Sequence, residues 1–283
     1  MAFADPAHEV VGLTIAAGNV GLAHTVANEL KLCEVAGRDE VPVFPGCAEP
    51  LLHAAPDAAD VHGADGFGDS GYVRSPRAAD TEHAAQAIVR LAHAHAGRLL
   101  LVALGPLTNL ALALKLDPAL PTRIDRLVVM GGAVNGRGNI TPFAEFNTHF
   151  DPEAAHLVFE AFPRFDLADW EATLAHGLAH ADVDAWCVAA SPRARFYDAI
   201  SRKTRAWAGA RRGDRWHSAD ALAMAYALQP APAETAIRRL QVALDGPARG
   251  VTLVDWQGLD RREANARILL RYPQPAFEAR VRQ

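Results

Sequence analysis

The chain has 283 residues, half of them hydrophobic and 22% charged, with a formal net charge of −5. That composition describes a globular protein able to bury a large core, as one α/β domain or two small ones. It offers no basic field for nucleic acid, and no apolar run approaches the ~18 residues of a membrane span.

Met1 to Ala4 reads as the last turn of a helix that began earlier, stopped by Asp5-Pro6. Val10 to Ala16 is a short apolar, β-branched run, the signature of a strand buried on both faces. A helix follows, with Leu22, Val26, Leu30 and Cys33 on one stripe and Gly37 past its end. Val41 to Phe44 is a second strand, and Pro45 to Ala78 a long irregular segment rich in Gly, Pro and Asp. Thr81 to Ala96 predicts a helix, Arg98 to Leu104 a strand, Leu107 to Lys115 a helix and Arg126 to Met130 a strand. Pro152 to Ala161 is a helix with three start signals in a row: Asp151 as N-cap, Pro152 at the first position and Glu153 in the first turn.

Phe165 to Asp169 is the next expected strand. Leu174 to Ala210 is helical but poorly periodic, and Ala208 to Trp216, with three arginines, reads as a surface link. Asp220 then caps a helix that Pro230 ends, and Leu240 to Leu244, Gly250 to Asp255 and Ile268 to Arg271 read as small strands at the sheet's margin. Strand and helix alternate throughout, which argues for an open, mostly parallel sheet with helices on both faces. No internal repeat or domain boundary is evident, so residues 1–283 are expected to form one domain. Three cysteines (Cys33, Cys47, Cys187), odd in number and without metal-like spacing, fit a reducing cytoplasm. The first residues lack the charged and apolar regions of a signal peptide.

Several motifs invite chemistry and do not sustain it. Gly66 to Gly71 matches G-x-G-x-x-G, but no strand precedes it and no helix follows, and Asp69 inside it would repel a pyrophosphate. The GDSG within that stretch lacks a recognisable histidine partner segment. His93 and His95 fall at a predicted helix end, where an imidazole favours the dipole. His176 and His180 have the spacing of a helical metal pair, but without a third ligand the expectation is an exposed pair of no function.

Two places read differently. His62 sits in a Gly-rich loop beside Asp60 and Asp65, where backbone freedom can bring an imidazole over a pocket to donate a proton; a solvated loop histidine is the equally weighted alternative. Gly136 to Glu153 follows a strand ending in Gly-Gly and delivers Asn139, Glu145 and Asn147 within nine residues of loop. Two amides and a carboxylate at a sheet edge suit a ligand covered in hydroxyl groups, and a sugar is the first expectation. Taken singly, the asparagines also fit turns, Glu145 a solvated acid and Asp220 a helix cap.

The segments AAGN (16–19), DVHGADGFG (60–68), ALGPLTNLALAL (103–114), VVMGGAVNGRGNITPFAEFNTHFDPEAA (128–155) and DALAMAYALQP (220–230) occur in an order and spacing that resembles the inosine–uridine preferring nucleoside hydrolases. The resemblance implies an open α/β sheet with its site at the strands' carboxyl ends. It also implies cleavage of the N-glycosidic bond of ribonucleosides in nucleoside catabolism and salvage. A calcium ion would hold the water and two ribose hydroxyls, and homo-oligomers would be dimers or tetramers. Carried over by position, Asn19, Asn139, Glu145 and Asn147 resemble the ribose contacts and Met130 the residue under the sugar. His62 resembles the histidine near the base, while Asp220 and the Leu104 carbonyl resemble calcium ligands.

Two departures stand out. The family opens with a D-x-D-x-G-x-D-D turn that supplies most metal carboxylates and the catalytic base, and this chain has no such motif. The resemblance therefore implies a fold lacking the first strand and most of the first helix, with a slot left in the sheet. The position before Asp220, a histidine in some members, is Ala219; His217 and Trp216 lie just upstream. The favoured expectation is a nucleoside hydrolase whose recorded sequence starts late and which, as recorded, has little or no activity. The alternative is a non-catalytic nucleoside- or ribose-binding relic or inactive partner subunit.

Overall fold

The computed structural model describes residues 1–188 and 191–283. In chain order the elements are β1 (Leu13–Ile15), α1 (Leu22–Ala36), β2 (Val43–Pro45), α2 (Ala59–His62), α3 (Ala84–Ala94), β3 (Leu99–Ala103), α4 (Thr108–Leu116) and β4 (Ile124–Met130). They continue as α5 (Phe146–Phe150), α6 (Pro152–Ala161), β5 (Phe165–Ala168), α7 (Trp170–Ala175), β6 (Leu178–Ala179), α8 (His180–Cys187) and α9 (Pro192–Arg212). The last are β7 (Arg215–Trp216), α10 (Ala219–Leu228), β8 (Glu234–Val242), β9 (Thr252–Asp255), β10 (Ala266–Arg271) and α11 (Gln274–Val281).

Six strands form the main sheet in the order β3-β4-β5-β10-β8-β9. The β3-β4, β4-β5 and β5-β10 pairs are parallel, and β8 and β9 extend the sheet antiparallel. The period-2 alternation of β4 assigns its side chains to two cores. Leu127 and Val129 pack with Ile88, Leu110, Val158 and Phe159 under α3, α4 and α6. Val128 and Met130 pack with Leu222, Tyr226 and Phe277 under α10 and α11. Two apolar layers explain the unbroken apolar run at residues 127–130 in β4.

The strand run at 10–16 departs from expectation. Only Leu13–Ile15 is strand, and each of its residues is partly exposed. The reason is pairing: among the described residues β1 bonds only to β2, in a separate two-stranded parallel sheet, and β3 bonds only to β4. Both β1 and β3 thus present an open edge, and β3, covered by helices on its faces, is partly exposed along its whole length.

Other corrections follow from local chemistry. The arginines at 211 and 212 end α9 instead of lying in a link, and Trp216 is buried, pairing with Leu178 between β6 and β7. The weak periodicity of 174–210 reflects three helices interrupted by a strand, not one long helix. β10 lies inside the sheet, between β5 and β8, where its register places Ala266 and Ile268 in the core. His176 is buried, with its ring nitrogens against the Ala172 carbonyl (2.6 Å) and the Tyr272 backbone (2.9 Å), so it ties α7 to the end of β10. The exposed His176–His180 pair is therefore absent: His180 begins α8, and its Nε2 is buried without a partner.

Candidate active site at the carboxyl edge of the sheet

β3 and β4 end side by side, and the chain after β4 turns through Gly131-Gly132. Gly132 has φ 74°, and a Cβ there would lie 2.7 Å from Thr252 Cγ2, so only glycine fits. Thr252 Oγ1 accepts the Ala133 N–H at 2.9 Å and holds the turn down. The loop that follows curls on itself. Asn139, Ile140 and Thr141 all aim their N–H groups at the Ala144 carbonyl, and Asn139 Oδ1 accepts the Phe146 N–H at 2.8 Å.

Glu145 is the N-cap of α5. Its Oε1 accepts the Asn147 N–H (2.9 Å), and its Oε2 accepts those of Gly132 (2.9 Å) and Thr148 (3.2 Å). A carboxylate has about four acceptor places, so one remains, on Oε1. Burial pushes the Glu145 pKa up to about 7 against the pull of the three N–H groups, and the charge of Asp220 adds to the rise.

Asn147 gathers the strand ends. Its Nδ2 donates to the Leu104 and Met130 carbonyls, each at 3.2 Å, and touches Met130 Sδ at 3.2 Å. No protein donor takes its Oδ1 among the described residues. Asn139 is the complement, with its oxygen engaged and its amide N–H free. One free acceptor, one free donor and one place on a carboxylate are the chemistry expected for a polyhydroxyl ligand.

Asp220 does not cap α10. The N-cap is Ser218, without a side-chain cap bond, and Asp220 occupies the first turn. It is ringed by protein, which raises its pKa to about 6, yet its side chain stays open to solvent. That combination describes a carboxylate on the floor of a concavity.

Asn19 and His62 border the same edge without bonding to the cluster. Gly18, beside Asn19, lies against Pro106: a Cβ there would sit 3.4 Å from the proline ring. The Asn19 carbonyl accepts the Ala58 N–H at 2.9 Å, and its side chain is exposed. Ala58, at the start of α2, packs with Ala17 and with Phe146, the neighbour of Glu145 and Asn147. His62 ends α2, and burial lowers its pKa while Asp60 opposes the shift. A cavity of about 400 Å³ between the chain ends is lined by the Asp5–Arg280 ion pair (2.7 Å) and contains none of these residues.

Calcium takes about six to eight oxygen ligands. Here the floor supplies the Asp220 carboxylate and the Leu104 carbonyl, and the latter already accepts from Asn147. No group of three or more His, Cys, Asp or Glu side chains is placed to hold a metal among the described residues. The donors among the described residues do not make a calcium shell.

Sequence reasoning missed Asp169 as a brace. Its Oδ1 caps α7 through Ala172 N–H (2.9 Å) and its Oδ2 accepts from Val134 (3.0 Å), fixing the loop after β4 to the end of β5. An acid directly after a strand and before a helix was the available signal.

Fold and site together define an α/β protein with a cluster of polar side chains at the carboxyl ends of parallel strands. The profile of the inosine-uridine preferring nucleoside hydrolases matches residues 1–279, and the chain belongs to that family. Over 161 residues it is 47% identical to a protein of Oryza sativa subsp. japonica named "Probable uridine nucleosidase 2", covering 56% of this chain and 48% of that one. Over 159 residues it is 40% identical to a pyrimidine-specific ribonucleoside hydrolase of Escherichia coli O139:H28, covering 56% and 50%. The matched segment thus spans about half the length of these curated relatives. A solved plant nucleoside hydrolase superposes with a TM-score of 0.94 at 26% identity, covering 99% of this chain and 92% of that one.

Proposed function

We propose that this hollow grips the ribose of a ribonucleoside, uridine being the first candidate, within a site for hydrolysis of the N-glycosidic bond. The observation that carries the reading is the convergence of Asn147 on the Leu104 and Met130 carbonyls beside a buried Glu145. Asn147 Oδ1 and the free place on Glu145 Oε1 accept ribose hydroxyl protons, Asn139 Nδ2 donates to a ribose oxygen, and Met130 lies under the ring. As the bond to the base breaks, positive charge grows on the sugar, and the Glu145 and Asp220 carboxylates stabilise it when ionised. His62, at the base side, is held largely neutral near pH 7 by burial and suits a hydrogen bond to the departing base. Asn19 closes the sugar's rim.

The names of the relatives support the pyrimidine choice: one is named a probable uridine nucleosidase and the other a pyrimidine-specific ribonucleoside hydrolase. The short oxygen donor set supports binding with little or no turnover by the 283-residue chain itself. The test is calorimetric titration of the purified chain with uridine, inosine, ribose and uracil, alongside chromatographic measurement of released uracil with and without calcium. Uridine and ribose binding without turnover is expected. Absence of any ribose-dependent heat overturns the reading of the hollow, and rapid uracil release overturns the prediction of inactivity.

A further inference from the structure

His62 is followed by a loop whose backbone is bent into the left-handed region at Gly63, Gly66, Gly68, Asp69 and Gly71. Asp69, at φ 54°, is the one non-glycine residue with positive φ among the described residues. These conformations bring the loop against two helices. A Cβ on Gly66 would lie 2.7 Å from Val20 Cγ2 and 3.1 Å from Asn28 Nδ2, and one on Gly68 would lie 2.8 Å from the Ile200 carbonyl of α9. The glycine spacing that imitates a dinucleotide fingerprint therefore serves close approach of backbone to α1 and α9.

At the centre of this contact is a buried polar group that the site itself does not use. Asn28 of α1 is 7% exposed. Its Nδ2 donates to the Asp65 carbonyl at 2.9 Å, and its Oδ1 accepts the Tyr72 hydroxyl, so one amide holds both shoulders of the loop. From the other side Phe67 packs tilted against Tyr72 and edge-to-face against Phe196 (centroids 4.8 and 5.7 Å apart), and Lys203 pairs with Asp69 at 2.5 Å. Inside the loop the Gly68 N–H donates to the His62 carbonyl at 2.8 Å. Asp65 Oδ1 takes the N–H groups of Phe67 and Asp69.

We propose that Asn28 is a positioning residue for His62: by clamping Asp65 and Tyr72 it fixes the 63–72 loop onto α1 and α9 and presents the histidine before any ligand arrives. A buried amide with donor and acceptor both engaged resists replacement, because any apolar substitute strands the Asp65 carbonyl and the Tyr72 hydroxyl. The functional consequence rests on the nucleoside reading above; the brace does not.

The test compares wild type with Asn28→Leu and Tyr72→Phe in the full chain. It reads the His62 ring resonances through a pH titration, the exchange rate of the Gly68 amide, and uridine affinity by calorimetry. Loosening the loop exposes His62, so its titration midpoint should move upward towards the ordinary histidine value. Gly68 exchange should accelerate at least tenfold while the melting transition stays cooperative, with Tyr72→Phe giving the smaller effect. If Asn28→Leu fails to fold, Tyr72→Phe alone decides, since it removes a single hydroxyl from a half-exposed ring. Unchanged His62 titration and Gly68 exchange in a folded variant overturn the proposal. A loosened loop with unaltered uridine affinity upholds the brace and removes His62 from the nucleoside site.

Discussion

Replacing Glu145 with Gln separates its two roles, as a cap built into the loop and as a charge buried beside Asp220. The wild-type side chain accepts three backbone N–H groups and keeps one place on Oε1. A glutamine that preserves the two bonds at Oε2 must set its NH₂ against the Asn147 N–H, donor facing donor. Leaving that buried group unpaired costs about 1–3 kcal/mol, so at pH 5 the variant should be less stable than wild type. Raising the pH changes the balance. The Glu145 pKa rises from 4.5 to about 7 on folding, so its protonation contributes stability that is full below pH 4.5 and lost as the pH climbs through 7. At about 1.4 kcal/mol per pH unit, wild type loses roughly 3 kcal/mol across that window and the glutamine variant loses none of it. The stability deficit of Glu145→Gln should therefore close, or reverse, by pH 8.5. Urea denaturation of both proteins at half-unit intervals from pH 4.5 to 8.5 measures it. A difference that stays constant over the range refutes the account of Glu145 as a buried, charge-strained carboxyl.

A Cβ on Gly138 would lie 2.2 Å from the Ala144 carbonyl oxygen and 2.4 Å from that of Thr141. Gly138→Ala should cost about 1–3 kcal/mol and weaken uridine binding, read as a lower denaturation midpoint and a smaller calorimetric affinity. Calcium titrated into the metal-free chain should bind no tighter than about 10⁻³ M; micromolar affinity by calorimetry would show that the chain completes a shell its visible donors do not account for. Phe159 and Phe165 are stacked with centroids 4.4 Å apart and rings within 8° of parallel, in the core at the amino-terminal end of β5. Phe159→Ala should destabilise by about 3–5 kcal/mol while leaving uridine affinity per folded molecule unchanged.

What the sequence determined by itself was the alternation of elements and the clustering of the polar groups proposed to face the ligand. Start signals such as Asp151-Pro152-Glu153 are local, because capping involves residues three apart, and α6 begins where they place it. The clustering of Asn139, Glu145 and Asn147 was legible because all three ride on one loop after one strand. The tertiary structure decided what those groups are free to do. Glu145 has most of its acceptor capacity taken by backbone, Asn147 spends its amide on two strand ends, and Asp220 lies in the first turn of α10 instead of capping it. Those outcomes depend on Gly132, Leu104 and Ser218, whose positions relative to the loop are set by strand register and helix packing. The buried environment of His176 and the brace at Asn28 were hidden for the same reason. Their partners lie 96 and up to 44 residues away along the chain, and hydrogen bonds over such separations exist only once the sheet has brought its helices together.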